Sequence, residues 1–218
     1  MELSLPTLKL MFPQANRTIL ERKAPYFNAA MKWGKIEDPT EVAAYCAHVA
    51  IESGQFVYTR EIHDGSNYEG RADLGNIYPG DGVRYPGRGD IQLTGRDVAR
   101  QAGQALGVDF ENDPSLMEKP EYASLVSAYF WTRYKPNLPL AARQGWFGVT
   151  QILVNGGWNH WNERVAFYQL NLSLFNLPKY MGKDSEYHDI RAFQQRNGLL
   201  VDGQAGNNTF KALRNGGR

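Results

Sequence analysis

The sequence predicts a mainly α fold with long irregular loops and a short C-terminal helical appendage. Three observations carry that reading. Apolar residues recur at helical spacing in several segments bounded by capping signals. Alternating runs of the kind that mark strands are weak throughout. Residues 55–85 have little periodicity and much Gly, Asn, Asp and Tyr, and irregular stretches of about thirty residues in a compact domain tend to be functional.

Taken in order, residues 3–31 read as helical pieces broken at Pro6, Pro13 and Pro25. Leu8, Phe12, Ile19, Leu20, Tyr26, Phe27 and Met31 are their core positions. Asp38-Pro39-Thr40-Glu41 is a helix start, with Asp at the N-cap and Pro at the first helical position. Val42, Cys46, Val49 and Ala50 continue it as an apolar stripe, and Gly54 is its expected C-cap. In Gly87-Arg88-Gly89-Asp90-Ile91-Gln92-Leu93-Thr94-Gly95, two glycines suggest a tight turn or a close approach. Ile91 and Leu93 alternate with Gln92, which then faces a cleft. Residues 97–106 look helical, with Gly107 as cap. Asp113-Pro114 and Lys119-Pro120 are turn or helix-start signals. Tyr122, Leu125, Val126, Tyr129 and Phe130 form an amphipathic helix. Residues 146–154 form a buried helix stopped at Asn155-Gly156-Gly157, and residues 162–174 another, with Val165, Tyr168 and Leu172 inward. The last thirty or so residues hold a short helix from Ile190, a turn-rich link over 199–209 and a final turn over 210–213. A piece this short cannot be stable alone.

The 218 residues allow one large domain plus a small appendage. A net charge of +1 implies no nucleic-acid partner. Cys46 is the single cysteine, so no internal disulfide forms. The four histidines (His48, His63, His160, His188) include no HExxH and no Cys/His cluster, so no zinc site, and hence no zinc amidase or peptidase, is expected. No apolar run reaches membrane-spanning length, and the N-terminus lacks the pattern of a secretory signal. Among the many aromatics, Tyr68, Tyr78, Tyr85, Trp158 and Trp161 lie in Gly- and Asn-rich stretches and are candidates to stack on sugar rings.

Glu52 and Glu61 carry the chemistry. Glu52 falls on the last turn of the 38–53 helix, at the edge of its apolar stripe near Tyr45 and His48. Half-desolvation there would raise its pKa, as a general acid requires. Glu61 has the polar neighbours Thr59, Arg60, His63 and Asp64, which should keep it ionised. Two carboxyls in unlike settings are the equipment of a glycosidase. Either glutamate alone would more often be solvated surface.

Four segments together resemble one family. They are HVAIESGQFVYTREI, NYEGRADLGNIYPGDGVRYPGRGDIQLTGR, ILVNGGWNHWNER and the N-terminal LPTLKLMFPQA…YFNAAMKWGKIEDPTEVAAYCAHV. They resemble the family-19 glycoside hydrolases, the class I chitinase type and its phage endolysin relatives, over about residues 3–177. The resemblance implies a lysozyme-like fold, with Glu52 as general acid and Glu61 as general base. It implies that Gln92 and Thr94 hold substrate and the nucleophilic water, that Asn155 binds substrate and that Arg164 lies near the cleft. The family inverts the anomeric carbon, which implies carboxyls about 6.5–9.5 Å apart. Ile51, Gln55 and Val98 depart from the family pattern, which often has His, Gly and Asn at those positions. The tail, IRAFQQRNGLLVDGQAGNNTFKAL, resembles the second half of a peptidoglycan-binding module, and it reads either as a wall-binding element or as a plain brace.

The expectation is a catalytic domain over 1–178 and a tail over 184–218. The reading is an inverting muramidase-like glycosidase that cleaves β-1,4 bonds of peptidoglycan. Its catalytic residues are Glu52, Glu61 and Thr94, and Gln92, Asn155, Arg164, Tyr68, Tyr85 and Trp158 contact substrate. Neither metal nor cofactor is expected. A phage-type endolysin of this kind acts as a monomer, waits in the host cytoplasm before lysis and reaches the wall through a separate holin-type pore. The alternatives are a chitinase and an inactive wall-binding protein.

Overall fold

The structure is a computed structural model that describes residues 1–181 and 183–215, with the backbone alone for 183–189. It is helical, as expected. The extended pairing among the described residues consists of two isolated antiparallel bridges, Arg60 with Arg88 and Arg88 with Leu93. No described helix is long and apolar enough to cross a membrane. The chain forms two compact units, Met1–Glu37 with His48–Tyr134, and Asp38–Ala47 with Lys135–Arg218.

The first unit begins with α1 (Leu5–Met11) and α2 (Arg17–Gly34). Ser4 and Asn16 cap them through side-chain oxygens on Thr7, Thr18 and Ile19 N–H groups. Pro6 starts α1 rather than breaking it, because the first turn has no use for its missing N–H. Pro25 lies inside α2 without ending it. It removes one backbone hydrogen bond, while Leu20, Phe27, Ala30 and Met31 keep the helix anchored by burial.

The helix α3 (Pro39–Glu52) is capped by Asp38, whose Oδ1 accepts from Thr40 N–H at 2.9 Å and Glu41 N–H at 3.1 Å. The expected stripe is too narrow a description. Residues 41–50 are all buried, so the helix is enclosed on every face. The chain passes from the second unit to the first between Ala47 and His48. The loops that follow contain two short 3₁₀ turns, Ser66–Tyr68 and Ala72–Leu74, and α4 (Asp81–Arg84). Next come α5 (Arg96–Leu106), a 3₁₀ turn Pro114–Glu118 and α6 (Pro120–Tyr129). A π-helical stretch, Phe130–Tyr134, extends α6, which packs on α2.

The second unit holds α7 (Leu138–Arg143), α8 (Phe147–Asn155) and α9 (Trp161–Leu174). It also holds α10 (Lys183–Arg196) and α11 (Asn207–Arg214). The helix α7 has no sequence signature because six residues are too few to show a period. The tail is more helical than its sequence suggests, since α10 starts well before Ile190 and α11 makes two turns. Ile190, Phe193 and Phe210 form one buried cluster with Ala141 and Trp146. Inside the tail, the Gln194 side chain donates to Asp202 Oδ1 (2.7 Å) and Gln204 O (2.9 Å) and accepts from Gly203 N–H (2.9 Å). That amide fixes the turn-rich link. Residues 216–218 lie outside the described chain.

Candidate active site

Glu52 ends α3 and is half-buried, as its place on the last turn demands. The chain then closes the helix with Gly54 in the left-handed region and a Gln55 N–H to Ala50 O bond of 2.8 Å. The next two residues are also left-handed, Gln55 at φ 59° and Phe56 at φ 69°. Side chains with a Cβ resist this, at about 1–2 kcal/mol each, so something must hold the run. Gln55 accepts from Gln14 N–H at 2.8 Å and donates to Gln14 Oε1 at 3.0 Å. Phe56 packs against Phe12 and Phe27, with ring centroids 4.5 and 5.4 Å away. Ser53 Oγ accepts the Phe56 N–H at 2.8 Å. Where the resemblance implies glycine at position 55, a glutamine takes the left-handed conformation with side-chain support.

Glu61 lies on the far side of this turn. Its backbone N–H donates to Gly87 O at 2.8 Å, and Gly89 N–H donates to Thr59 O at 2.9 Å. Arg88 and Leu93 then pair through two further bonds of 2.9 and 2.7 Å. The Glu61 carboxylate is held at both oxygens. Tyr68 OH donates to Oε1 at 2.9 Å and Gly87 N–H to Oε2 at 3.1 Å. Burial first, and then this hydrogen bond, push the Tyr68 phenol above its usual range, so it stays a donor. Tyr68 therefore orients the Glu61 carboxylate through its hydroxyl, while its ring stays half-buried.

Gln92 and Thr94 converge on the same glycine. A Cβ on Gly87 would stand 2.9 Å from Gln92 Oε1 and 3.3 Å from Thr94 Oγ1. Only a bare backbone lets Glu61, Gln92 and Thr94 share this spot. Ile91 and Leu93 are buried and Gln92 is half-buried, as the alternation predicts. Gln92 Nε2 donates to Gly89 O at 3.0 Å, while its Oε1 is buried with no partner. An orphaned acceptor there marks a polar spot that the chain itself leaves unsatisfied. Thr94 Oγ1 donates to Gln92 O at 3.1 Å and keeps its lone pairs for a water or a hydroxyl.

Tyr85 is a correction. It is 1% exposed, its hydroxyl donates to Glu111 O at 2.7 Å, and the Arg96 guanidinium sits 4.9 Å from its ring centre. No ring face is open to a sugar. Arg96 forks onto Asp81 at 2.6 and 3.0 Å and also stands 4.9 Å from the Tyr78 ring. The ion pair holds the Asp81 carboxyl below its usual range. Tyr78 itself is exposed. Sequence reading missed this scaffold. It also missed Asp90, fully buried, paired with Lys23 and accepting from Ser124 Oγ at 2.6 Å. A signal was present, because Lys23 interrupts the helical apolar spacing of Leu20, Phe27 and Met31, and a lysine there needs a buried partner.

In the second unit, Asn155 is the last residue of α8, and its Oδ1 is buried without a partner. Trp158 is 39% exposed and meets Trp161 edge-on at 4.8 Å. The loop carrying it is pinned by Gln151, whose Nε2 donates to Gly157 O (2.8 Å) and Asn159 O (3.1 Å). Arg164 is buried in α9, 1% exposed, and belongs to the core of this unit.

The family described as chitinase class I matches residues 29–181, and the peptidoglycan binding domain matches residues 187–213. An acidic endochitinase of Dioscorea japonica is 32% identical over 142 residues, 63% of this chain and 55% of its own. Endochitinase 2 of Gossypium hirsutum is 30% identical over 173 residues, 67% of this chain and 55% of its own. The chain thus spans about half the length of the curated relatives it matches. The fold is shared with chitinase C from Streptomyces griseus, at TM-score 0.67 and 22% identity, covering 83% of this chain and 95% of that one. It is shared also with a class IV chitinase from Zea mays, at TM-score 0.65 and 23% identity, covering 81% and 94%. With residues 29–181, more than half of the chain, matched by the family's model, the chain belongs to the chitinase class I family of glycoside hydrolases.

Proposed function

We propose that this protein hydrolyses β-1,4 bonds in the glycan strands of bacterial peptidoglycan by an inverting mechanism. Glu52 donates a proton to the glycosidic oxygen. Glu61 takes a proton from a water that Thr94 helps to hold, and that water attacks the anomeric carbon from the opposite face. Gln92, beside Glu61, is assigned to position the sugar. The observation that carries the reading is the convergence of Glu61, Gln92 and Thr94 on Gly87. The peptidoglycan binding match over residues 187–213 supports the substrate. We assign catalysis to residues 1–178 and contact with the wall to 184–218. The biology that fits is a monomeric phage-type endolysin, held in the host cytoplasm until a holin-type pore gives it access to the wall.

A chitinase is the second reading, favoured by curated relatives whose names are endochitinases. Product analysis on purified peptidoglycan and on chitin oligomers separates the two. Muropeptides ending in N-acetylmuramic acid in the α configuration support the first reading. Cleavage of chitin alone overturns it in favour of the second. Glu52→Gln is expected to abolish turnover with an unchanged circular-dichroism spectrum, and near-normal activity would show that the acid is assigned wrongly.

A further inference from the structure

Asp90 stands between two left-handed residues, Gly89 at φ 76° and Gln92 at φ 57°. Gly89 O accepts both the Gln92 N–H (3.3 Å) and the Gln92 Nε2 (3.0 Å). A turn with a non-glycine residue in this region persists only where its surroundings over-determine it. Asp90 supplies that. Its backbone N–H donates to Ala123 O at 3.1 Å, one carboxylate oxygen meets Lys23 Nζ, and the other accepts from Ser124 Oγ at 2.6 Å. Lys23, Asp90 and Ser124 are 2%, 0% and 0% exposed. Removing two charges from water is costly, and an apolar pair of equal volume often serves stability as well. What an apolar pair lacks is direction.

We propose that Lys23, Asp90 and Ser124 form a positioning clamp that aims the unpartnered Gln92 acceptor at the spot beside Glu61. The inference rests on the hydrolytic reading above and adds to it three residues that touch no substrate. The clamp ties the Gly89–Gln92 turn to α2 through Lys23 and to α6 through Ser124. So tied, the turn fixes the Gln92 backbone, and the side-chain bond from Nε2 to Gly89 O keeps the buried, unsatisfied Oε1 against Gly87. Gly87 completes the geometry, because its N–H holds the base and its missing Cβ leaves room for Gln92 Oε1.

The test uses three forms of the full chain: Ser124→Ala, Asp90→Asn, and Lys23→Met combined with Asp90→Asn. Ser124→Ala removes a neutral arm and leaves no charge unpaired, so it decides even where Asp90→Asn fails to fold. The double form removes both charges and so is expected to keep a Tm close to that of the unaltered protein. Well below Tm, the clamp predicts a kcat loss of roughly ten- to a hundredfold with KM little changed, as for a misplaced catalytic group. It also predicts amide exchange at least about tenfold faster in peptides covering 87–95, with α5 unchanged. A double form with lowered kcat at normal Tm supports the proposal. A lowered Tm with kcat and exchange within about twofold of the unaltered protein overturns it and leaves a purely structural ion pair. Should the unaltered protein cleave neither glycan, the hydrolytic reading falls, and the exchange measurement still judges the clamp.

Discussion

Around Glu61 the backbone is held by polar groups, whereas the helix that leads to Asn155 is held by apolar ones. The segment from Glu61 to Arg96 has little regular structure, so its own N–H and C=O groups are not satisfied by a helix. Backbone turns do part of that work, and side chains the rest. Glu69 accepts from Gly80 N–H (2.7 Å) and Gly82 N–H (2.8 Å), and Asn76 accepts from Arg96 N–H (2.9 Å) while donating to Tyr68 O (3.0 Å). Asp81 and Asp90 carry the ion pairs. Asn155 instead ends a helix whose backbone satisfies itself. Phe147 stacks on Tyr168 at 4.1 Å, and Trp146 meets Phe193 of the tail edge-on at 5.4 Å. An irregular scaffold buries partners for its polar groups, and a helical one needs only a well-filled core.

The comparison can be broken most forcefully on the apolar side. Phe193→Ala should cost about 3–5 kcal/mol, as large-to-small changes in a packed aromatic core do, and urea unfolding would measure it. A loss under about 1 kcal/mol would mean that the tail lies loosely on Trp146. On the polar side, Gln55→Ala removes two hydrogen bonds and keeps a Cβ in the left-handed region. A loss of about 1–3 kcal/mol is expected, and a smaller one would show that Phe56 packing alone holds the run.

Acid should act on the loop scaffold. The Asp81 carboxyl is held below its ordinary value of 3.8, chiefly by its hydrogen bonds to Arg96. Its contribution is therefore complete above that value and is lost as pH falls through the lower folded-state value. The Tm gap between the unaltered protein and Asp81→Asn should shrink steadily as pH drops below 3.8, and a gap that stays constant would remove the ion pair from the account. Smallest of all is Leu200→Ser, at an 81% exposed position of the tail. It should change stability by less than about 0.5 kcal/mol.

Much of the helical frame was legible because its punctuation is local. Asp38-Pro39, Gly54 and Gly107 mark ends where they stand, and Asp113 caps the turn that follows it. The burial of Ile91 and Leu93 was legible too, but a turn with Gln92 at φ 57°, not an extended run, produces it. The tyrosines were not. Tyr68 and Tyr85 share a Gly- and Asn-rich neighbourhood, yet one orients a carboxylate and the other is sealed in a core, because distant partners decide their exposure. Lys23 stands out from its helical apolar spacing, but its partner Asp90 lies 67 residues away, where no periodic signal reaches. Pro25 misled because tertiary burial outweighed one missing hydrogen bond.

The second unit is discontinuous in the chain. Arg143 Nε donates to Glu41 Oε2 at 2.7 Å, and Asn171 Nδ2 donates to Ala43 O at 3.1 Å, across 102 and 128 residues. On a ribosome, the apolar run from Val42 to Ala47 emerges long before the residues that will enclose it. At ordinary translation speeds it waits roughly 5–25 seconds. During that time Cys46, which burial makes a poorly ionised and unreactive thiol in the finished fold, stands open to solvent. Its reactivity is therefore a clock in the nascent chain, and protection of this one thiol from alkylation marks the moment when α3 becomes enclosed.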